Sequence, residues 1–237
     1  MIKLKDFSIG FKGKILLSEI NTSFPDGELT ALIGRNGSGK STLLKALCGI
    51  NNNYSGDIFI DSLNIKSLST LRMASLVSFV NTQRPRISNM KSKDLVALGR
   101  TPYTGWSGKL TLKDKKIIWD SIEMVGMRDY ADRTIESLSD GECQKIMIAR
   151  AIAQDTKIIL LDEPTSFLDL PTRYELVNLL KNLVDNKGKT IIYSTHELDI
   201  ALKKSDYIAL FNSPDLINLP IAEMISANYI NRIFPIQ

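Results

Sequence analysis

The stretch Leu29-Thr30-Ala31-Leu32-Ile33-Gly34-Arg35-Asn36-Gly37-Ser38-Gly39-Lys40-Ser41-Thr42 decides how this chain is read. An apolar run of strand length leads into residues 34–42, which fit GxxxxGK[ST], and an apolar helix pattern follows over 43–48. Strand, glycine-rich turn and helix in that order are the context the motif requires. Glycines let successive backbone N–H groups curl round phosphate oxygens without Cβ clashes. The helix behind them adds roughly half a positive charge at its N-terminus. The expected phosphate-binding residues are Gly34, Asn36, Gly37, Ser38, Gly39, Lys40, Ser41 and Thr42, with Lys40 reaching the β- and γ-phosphates and the Ser41 hydroxyl ligating Mg²⁺.

Outward from this loop, short apolar runs alternate with helical patterns. Residues 29–33, 76–80, 158–162, 190–194 and 207–211 read as strands of a largely parallel sheet, because strands buried on both faces are continuously apolar. Leu176, Leu179, Leu180 and Leu183 repeat at helical spacing after Pro171. The alternation is that of an α/β domain. Residues up to about Leu29 alternate as antiparallel strands do. From about Pro85 to Ile135 strand signals vanish, and helical patterns at 92–98 and 111–125 mark a helical insertion. The expected organisation is one domain over 1–237, with 1–84 and 136–237 as nucleotide-binding core and 85–135 as the insertion.

The run Ile158-Ile159-Leu160-Leu161-Asp162-Glu163 puts two acids at the C-terminal end of a buried strand, the edge where open parallel sheets bind ligands. Neighbouring strand residues point to opposite sides, so the acids take different tasks. Asp162 fits the Mg²⁺ side, and Glu163 is placed to orient and polarise a water for attack on the γ-phosphate.

Leu138-Ser139-Asp140-Gly141-Glu142, just before that strand, resembles the LSGGQ signature of ABC-type ATPases. Gln83 resembles the Q-loop glutamine, Ser166-Phe167-Leu168-Asp169 the D-loop, and His196 the switch histidine, in the order that family uses. Phe11 stands where the family often has an aromatic that stacks on adenine. The resemblance covers all but the C-terminal stretch. It implies a P-loop NTPase of ABC type, with a mainly parallel core, an N-terminal antiparallel β subdomain and an inserted helical subdomain. It implies ATP and Mg²⁺, with Ser41, Gln83 and Asp162 at the metal. Glu163, His196, Gln83 and Lys40 would be the catalytic groups. It further implies a head-to-tail homodimer, in which Ser139 and the Gly141 backbone contact the γ-phosphate held by the other subunit. Asp169 doubles as a candidate helix N-cap.

The signature departs from the family pattern at Asp140 and Glu142, and Cys143 stands where many relatives carry arginine. An acid beside a γ-phosphate is a cost unless its side chain turns away. The Cys143 change is expected to touch helix solvation only, and Arg150 is expected to be a solvated helix residue. The insertion is too short, and lacks the heptads, for the coiled coil of a chromosome-organising relative. Residues 96–103 and 161–171 resemble ATPases of iron-chelate, haem and cobalamin importers. The leading expectation is the ATPase of such an importer, a peripheral protein of the cytoplasmic membrane face. Its partners would be transmembrane permease subunits and, indirectly, a substrate-binding protein. Two alternatives are a soluble ABC ATPase of an assembly machine, such as iron–sulfur cluster biogenesis, and a non-hydrolysing nucleotide-binding regulatory subunit.

Composition sets bounds around this reading. At 237 residues, 43% of them hydrophobic and 24% charged, the chain buries a sizeable core. No apolar run approaches the ~18–20 residues of a membrane-spanning helix. A net charge of +4, from scattered lysines, argues against a nucleic-acid footprint. Cys48 and Cys143 make neither a disulfide framework nor a CxxC metal site, and no secretory h-region follows Met1. A reducing cytoplasm is expected.

Overall fold

The computed structural model describes residues 1–85 and 87–230. In chain order the elements are β1 (Ile2–Phe11), β2 (Lys14–Phe24), β3 (Leu29–Gly34), α1 (Lys40–Leu47), β4 (Tyr54–Ile60), β5 (Leu63–Asn64), α2 (Thr70–Leu76) and β6 (Val77–Val80). There follow α3 (Ser92–Ala97), α4 (Leu112–Met124), α5 (Asp140–Ala153), β7 (Ile158–Leu161), α6 (Leu170–Lys187), β8 (Thr190–Thr195), α7 (Leu198–Lys204), β9 (Tyr207–Asn212), β10 (Asp215–Pro220) and α8 (Ile221–Ser226). No described helix is long and apolar enough to cross a membrane.

The six-stranded sheet has the order β10-β9-β3-β8-β7-β6, parallel throughout except for β10. Its central strands have apolar side chains on both faces, and period 2 divides them between two cores. Ile33, Ile159, Leu161, Ile191 and Tyr193 join the core under α3–α7. Leu32, Ile158, Leu160 and Ile192 join the core shared with α1 and the antiparallel sheet β2-β1-β4-β5. In β1 the alternation is explicit: Ile2, Leu4, Phe7 and Ile9 are buried, Lys3 and Lys5 exposed, and the phase slips once where Asp6 takes a positive φ of 48°.

The expected strands all form, with small shifts: Leu76 ends α2 rather than starting β6, and Asp162 lies just past β7. Several elements escape the sequence reading, among them β4, α2 and β10. The apolar pattern of β4 is interrupted by Gly56 and Asp57, α2 is a short helix without a clear apolar stripe, and β10 ends in Pro220, which an edge strand tolerates. The sequence also suggests a closing helix packed through Tyr229, Ile230, Ile233 and Phe234; of these Ile230 is buried, and Ile233 and Phe234 lie outside the described residues.

Between β6 and α5 the described residues form helices joined by loops, and strand geometry occurs only at an isolated Lys91–Thr134 bridge. Thr111 and Asp114 cap α4 reciprocally. Buried Arg100 donates to Asp114 Oδ1 at 2.9 Å and to the Ala153 carbonyl at 2.9 Å, fixing the insertion to the end of α5. Gly99 makes this approach possible, because a Cβ there would lie 2.4 Å from the Arg150 carbonyl oxygen. Gly99→Ala is expected to cost about 1–3 kcal/mol by overpacking. A denaturant midpoint unchanged from the parent would contradict the close contact.

Candidate active site

The strand order brings the C-terminal ends of β3, β8, β7 and β6 side by side. Each end delivers one piece of the predicted site. β3 runs into the glycine loop, where Gly37 and Gly39 take positive φ of 73° and 116°, and Gly39 is the N-cap of α1. A side chain at Gly39 would also meet Leu16 Cδ1 at 2.9 Å, so conformation and space both require glycine. No acid occupies the first turn of α1, so its positive end is uncompensated within the helix. The Ser38 hydroxyl is buried without a partner in this loop, a donor group suited to a phosphate oxygen. A cleft of about 500 Å³ opens beside the loop, lined by Lys14, Arg35, Asn36, Gly37, Ser38 and Phe211 among others.

Lys40 is buried and donates to the carbonyls of Gly34 at 3.0 Å and Arg35 at 3.2 Å. Burial lowers its pKa, while the nearby Glu163 and Asp162 carboxylates oppose that shift. Asp162 is buried too, and its Oδ1 accepts from Ser41 Oγ at 2.9 Å and from Ser194 Oγ at 2.8 Å. Ser41 and Asp162, 121 positions apart in sequence, therefore share one hydrogen bond. Ser194 is a site residue that the sequence reading missed. The only signal was a hydroxyl near the end of the strand that precedes His196.

The acids separate by a different route than strand alternation. β7 ends at Leu161, and Glu163 has a positive φ of 46°. The Glu163 N–H donates to Ser194 Oγ at 2.8 Å, and Ser166 Oγ donates to Glu163 Oε2 at 3.1 Å. Strain at a non-glycine residue of this kind persists where surrounding bonds over-determine it. His196 leaves the end of β8 and is exposed, and Gln83 leaves β6 and is exposed. Phe11 is 58% exposed, so it is not a core aromatic, and Lys12 Nζ lies 5.5 Å from its ring centre. Thr42 follows Ser41 in the first turn of α1.

The signature stretch starts α5. Ser139 is its N-cap, and Glu142 folds back so that its Oε2 accepts from the Ser139 N–H at 2.8 Å and Oγ at 2.9 Å. These bonds hold the Glu142 carboxyl below its usual pKa. The acid thus turns inward as a capping box. Gly141 lies against the D-loop, where a Cβ would meet the Phe167 carbonyl at 3.2 Å. Asp169 caps α6, accepting from the Thr172 N–H at 3.1 Å.

Two sequence expectations are corrected here. Cys143 is buried in the core under α5, so its substitution for arginine concerns packing rather than helix solvation. Arg150 is not a solvated residue: its Nε is buried without a partner, and desolvation lowers its pKa.

A phosphate loop between strand and helix, with a buried carboxylate hydrogen-bonded to its serine from the end of the next parallel strand but one, defines a P-loop nucleoside triphosphatase. Residues 17–166 match the ABC transporter family model, and the chain belongs to that family. It is 34% identical to the iron(3+)-hydroxamate import ATP-binding protein of Bacillus subtilis, covering 100% of this chain and 88% of that one. It is 36% identical to the petrobactin import ATP-binding protein of the same organism, covering 100% and 95%. Among solved structures, an inward-facing ABC transporter described as being of metal-chelate type superposes with a TM-score of 0.86 at 26% identity, covering 99% of this chain and 88% of that one. A dimeric ATP-binding cassette with ADP and Pi superposes with a TM-score of 0.83 at 27% identity, covering 93% and 99%. The chain is the ATP-binding and ATP-hydrolysing subunit of an ABC transporter.

Proposed function

We propose that two copies close head to tail around two ATP molecules on the cytoplasmic face of a membrane and drive import of an iron(III)-siderophore, haem or cobalamin. In this reading a substrate-binding protein delivers the cargo to the permease. The observation that carries the hydrolytic part is the convergence of Lys40, Ser41, Asp162 and Glu163 at the ends of β3 and β7, the two strands that flank β8. The iron-chelate cargo rests on the relatives named above, and haem and cobalamin on the resemblance of residues 96–103 and 161–171.

The oxygen set of Ser41, Asp162 and Gln83 fits Mg²⁺, a hard cation that takes few protein ligands beside phosphate oxygens. When bound, it neutralises charge on the β- and γ-phosphates. The chain's own groups do the rest. Lys40 and the loop N–H groups hold the phosphates. Glu163 accepts a hydrogen bond from the attacking water and holds it in line. His196, Gln83 and the partner copy's signature serine stabilise the charge on the transferring phosphoryl group. The reading requires Ser139 Oγ to turn from Glu142 toward the nucleotide as the copies close. We assign residues 85–135 as a helical subdomain that moves with this closure.

A groove of about 830 Å³ runs between α1, α2 and α5, with Met73, Val77 and Phe79 among its walls. Its charged lining residues are Lys45, Lys66 and Arg150, with no carboxylate among them. This charge, with the unpaired Arg150 Nε, supports docking of a cytoplasmic permease loop that carries an apolar ridge and an acid. Arg150→Ala is expected to weaken capture on the solubilised permease by roughly tenfold or more while ATP affinity of the chain stays unchanged. Equal capture of both forms would sink the docking assignment. The import reading itself is tested by reconstituting the permease complex and asking whether a loaded binding protein with a ferric hydroxamate stimulates ATP hydrolysis. Absence of stimulation by iron chelates, haem and corrinoids alike would overturn the cargo class.

A further inference from the structure

Arg84 follows Gln83 directly, and its guanidinium is a junction. Nη1 donates to Asp140 Oδ1 at 2.9 Å. Nη2 donates to the carbonyls of Ile135 at 2.7 Å, Leu138 at 2.8 Å and Glu136 at 3.2 Å. All four acceptors lie within six residues of chain that surround Ser139, the N-cap of α5. On the other side of Gln83, Thr82 Oγ1 donates to the Asp162 carbonyl at 3.0 Å. Asp162 in turn accepts the Ser41 hydroxyl from the phosphate-loop helix. The residues flanking Gln83 therefore tie the nucleotide site of one copy to the signature that the same copy presents elsewhere.

We propose that Arg84 and Asp140 form a latch that positions Ser139 and Gly141 for the nucleotide held by a partner copy. Arg84 is a positioning residue, since it acts through the signature stretch. Exposed ion pairs alone contribute little. Here the planar guanidinium also satisfies three carbonyls, and a fork of fixed geometry loses little freedom per bond formed. The latch does a second thing. Asp140 stands where the family pattern has glycine, at the end of a helix that is to meet an anion. Arg84 neutralises that carboxylate and draws it to its own side. The substitution in the signature and the arginine after the Q-loop glutamine are thus one device.

The inference rests on the proposed head-to-tail sandwich, and the test separates the two. The full chain carrying Glu163→Gln, which keeps ATP bound, is compared by sedimentation with and without MgATP. The same measurement is made after adding Arg84→Ala, Asp140→Asn, or both. ATP affinity of the monomer and Tm are measured alongside. The latch predicts that Arg84→Ala weakens ATP-dependent dimerisation by roughly tenfold or more, with monomer ATP affinity and Tm unchanged. Adding Asp140→Asn to Arg84→Ala should recover part of the loss, because the uncompensated acid is gone. Equal dimerisation with and without Arg84→Ala overturns the latch and leaves the sandwich standing. If the Glu163→Gln parent itself does not dimerise with MgATP, the sandwich reading fails and the latch falls with it. Where Arg84→Ala lowers Tm, Asp140→Asn alone decides. Weakened dimerisation supports the latch, and dimerisation equal to the parent overturns it.

Discussion

Glu163→Gln leaves ATP binding intact and lowers ATP turnover by roughly 10²–10⁴-fold, the contribution of a positioned proton acceptor. The glutamine is isosteric, so the contacts that fix the residue survive. Its N–H still reaches Ser194 Oγ, and its side chain still meets Ser166. What disappears is the negative charge that orients and polarises the water. The measurement is single-turnover hydrolysis beside nucleotide affinity, and an unchanged kcat would remove Glu163 from its assigned role. Lys40 and the loop N–H groups are untouched by the change, which is why binding and turnover separate.

The largest stability effect is expected at Asp114→Ala. Asp114 and Arg100 are both buried, and Asp114 also accepts from the Thr111 hydroxyl at 2.6 Å and N–H at 2.9 Å. Deleting the carboxylate leaves a buried guanidinium without its counter-charge, at a cost of about 3 kcal/mol. The same bonds, those of Thr111 first and Arg100 next, hold the Asp114 pKa at about 2, against an ordinary 3.8. Below 3.8 the unfolded chain takes up a proton that the native chain still refuses. This contribution is therefore complete above about pH 4 and is lost as pH falls toward 2. Urea unfolding from pH 5 down to pH 2 should show a slope that Asp114→Asn flattens. Parallel curves for the two proteins would refute the assignment.

Much of the site was legible in sequence because its parts are local. A phosphate loop needs consecutive glycines, a lysine and a hydroxyl in one turn, and residues 34–42 supply them together. A strand buried on both faces must be apolar, and Ile158–Leu161 is entirely so. Asp162, Glu163 and His196 follow such strands, so their places at the sheet edge could be read from neighbours in the chain. The antiparallel segment was legible for β1 and β2 by alternation. It was illegible for β4 and β5, whose short, interrupted runs gain their burial only by pairing with β1.

The rest depended on contacts between distant positions. Nothing near Ser194 announces that its hydroxyl joins Asp162 Oδ1 and the Glu163 N–H. Arg150 read as a solvated helix residue, as arginines mostly are, yet the groove buries its Nε. Glu142 looked like a misplaced charge until the turn of α5 folded it onto Ser139. The sequence by itself determined the family, the phosphate loop and the strand-end acids, because each is a pattern within one turn or one strand. Only the tertiary structure decided which charges are neutralised and by whom. Arg84 meets Asp140 56 positions away and Arg100 meets Asp114 14 positions away, and electrostatic pairing is set by distance in space, which chain order does not encode.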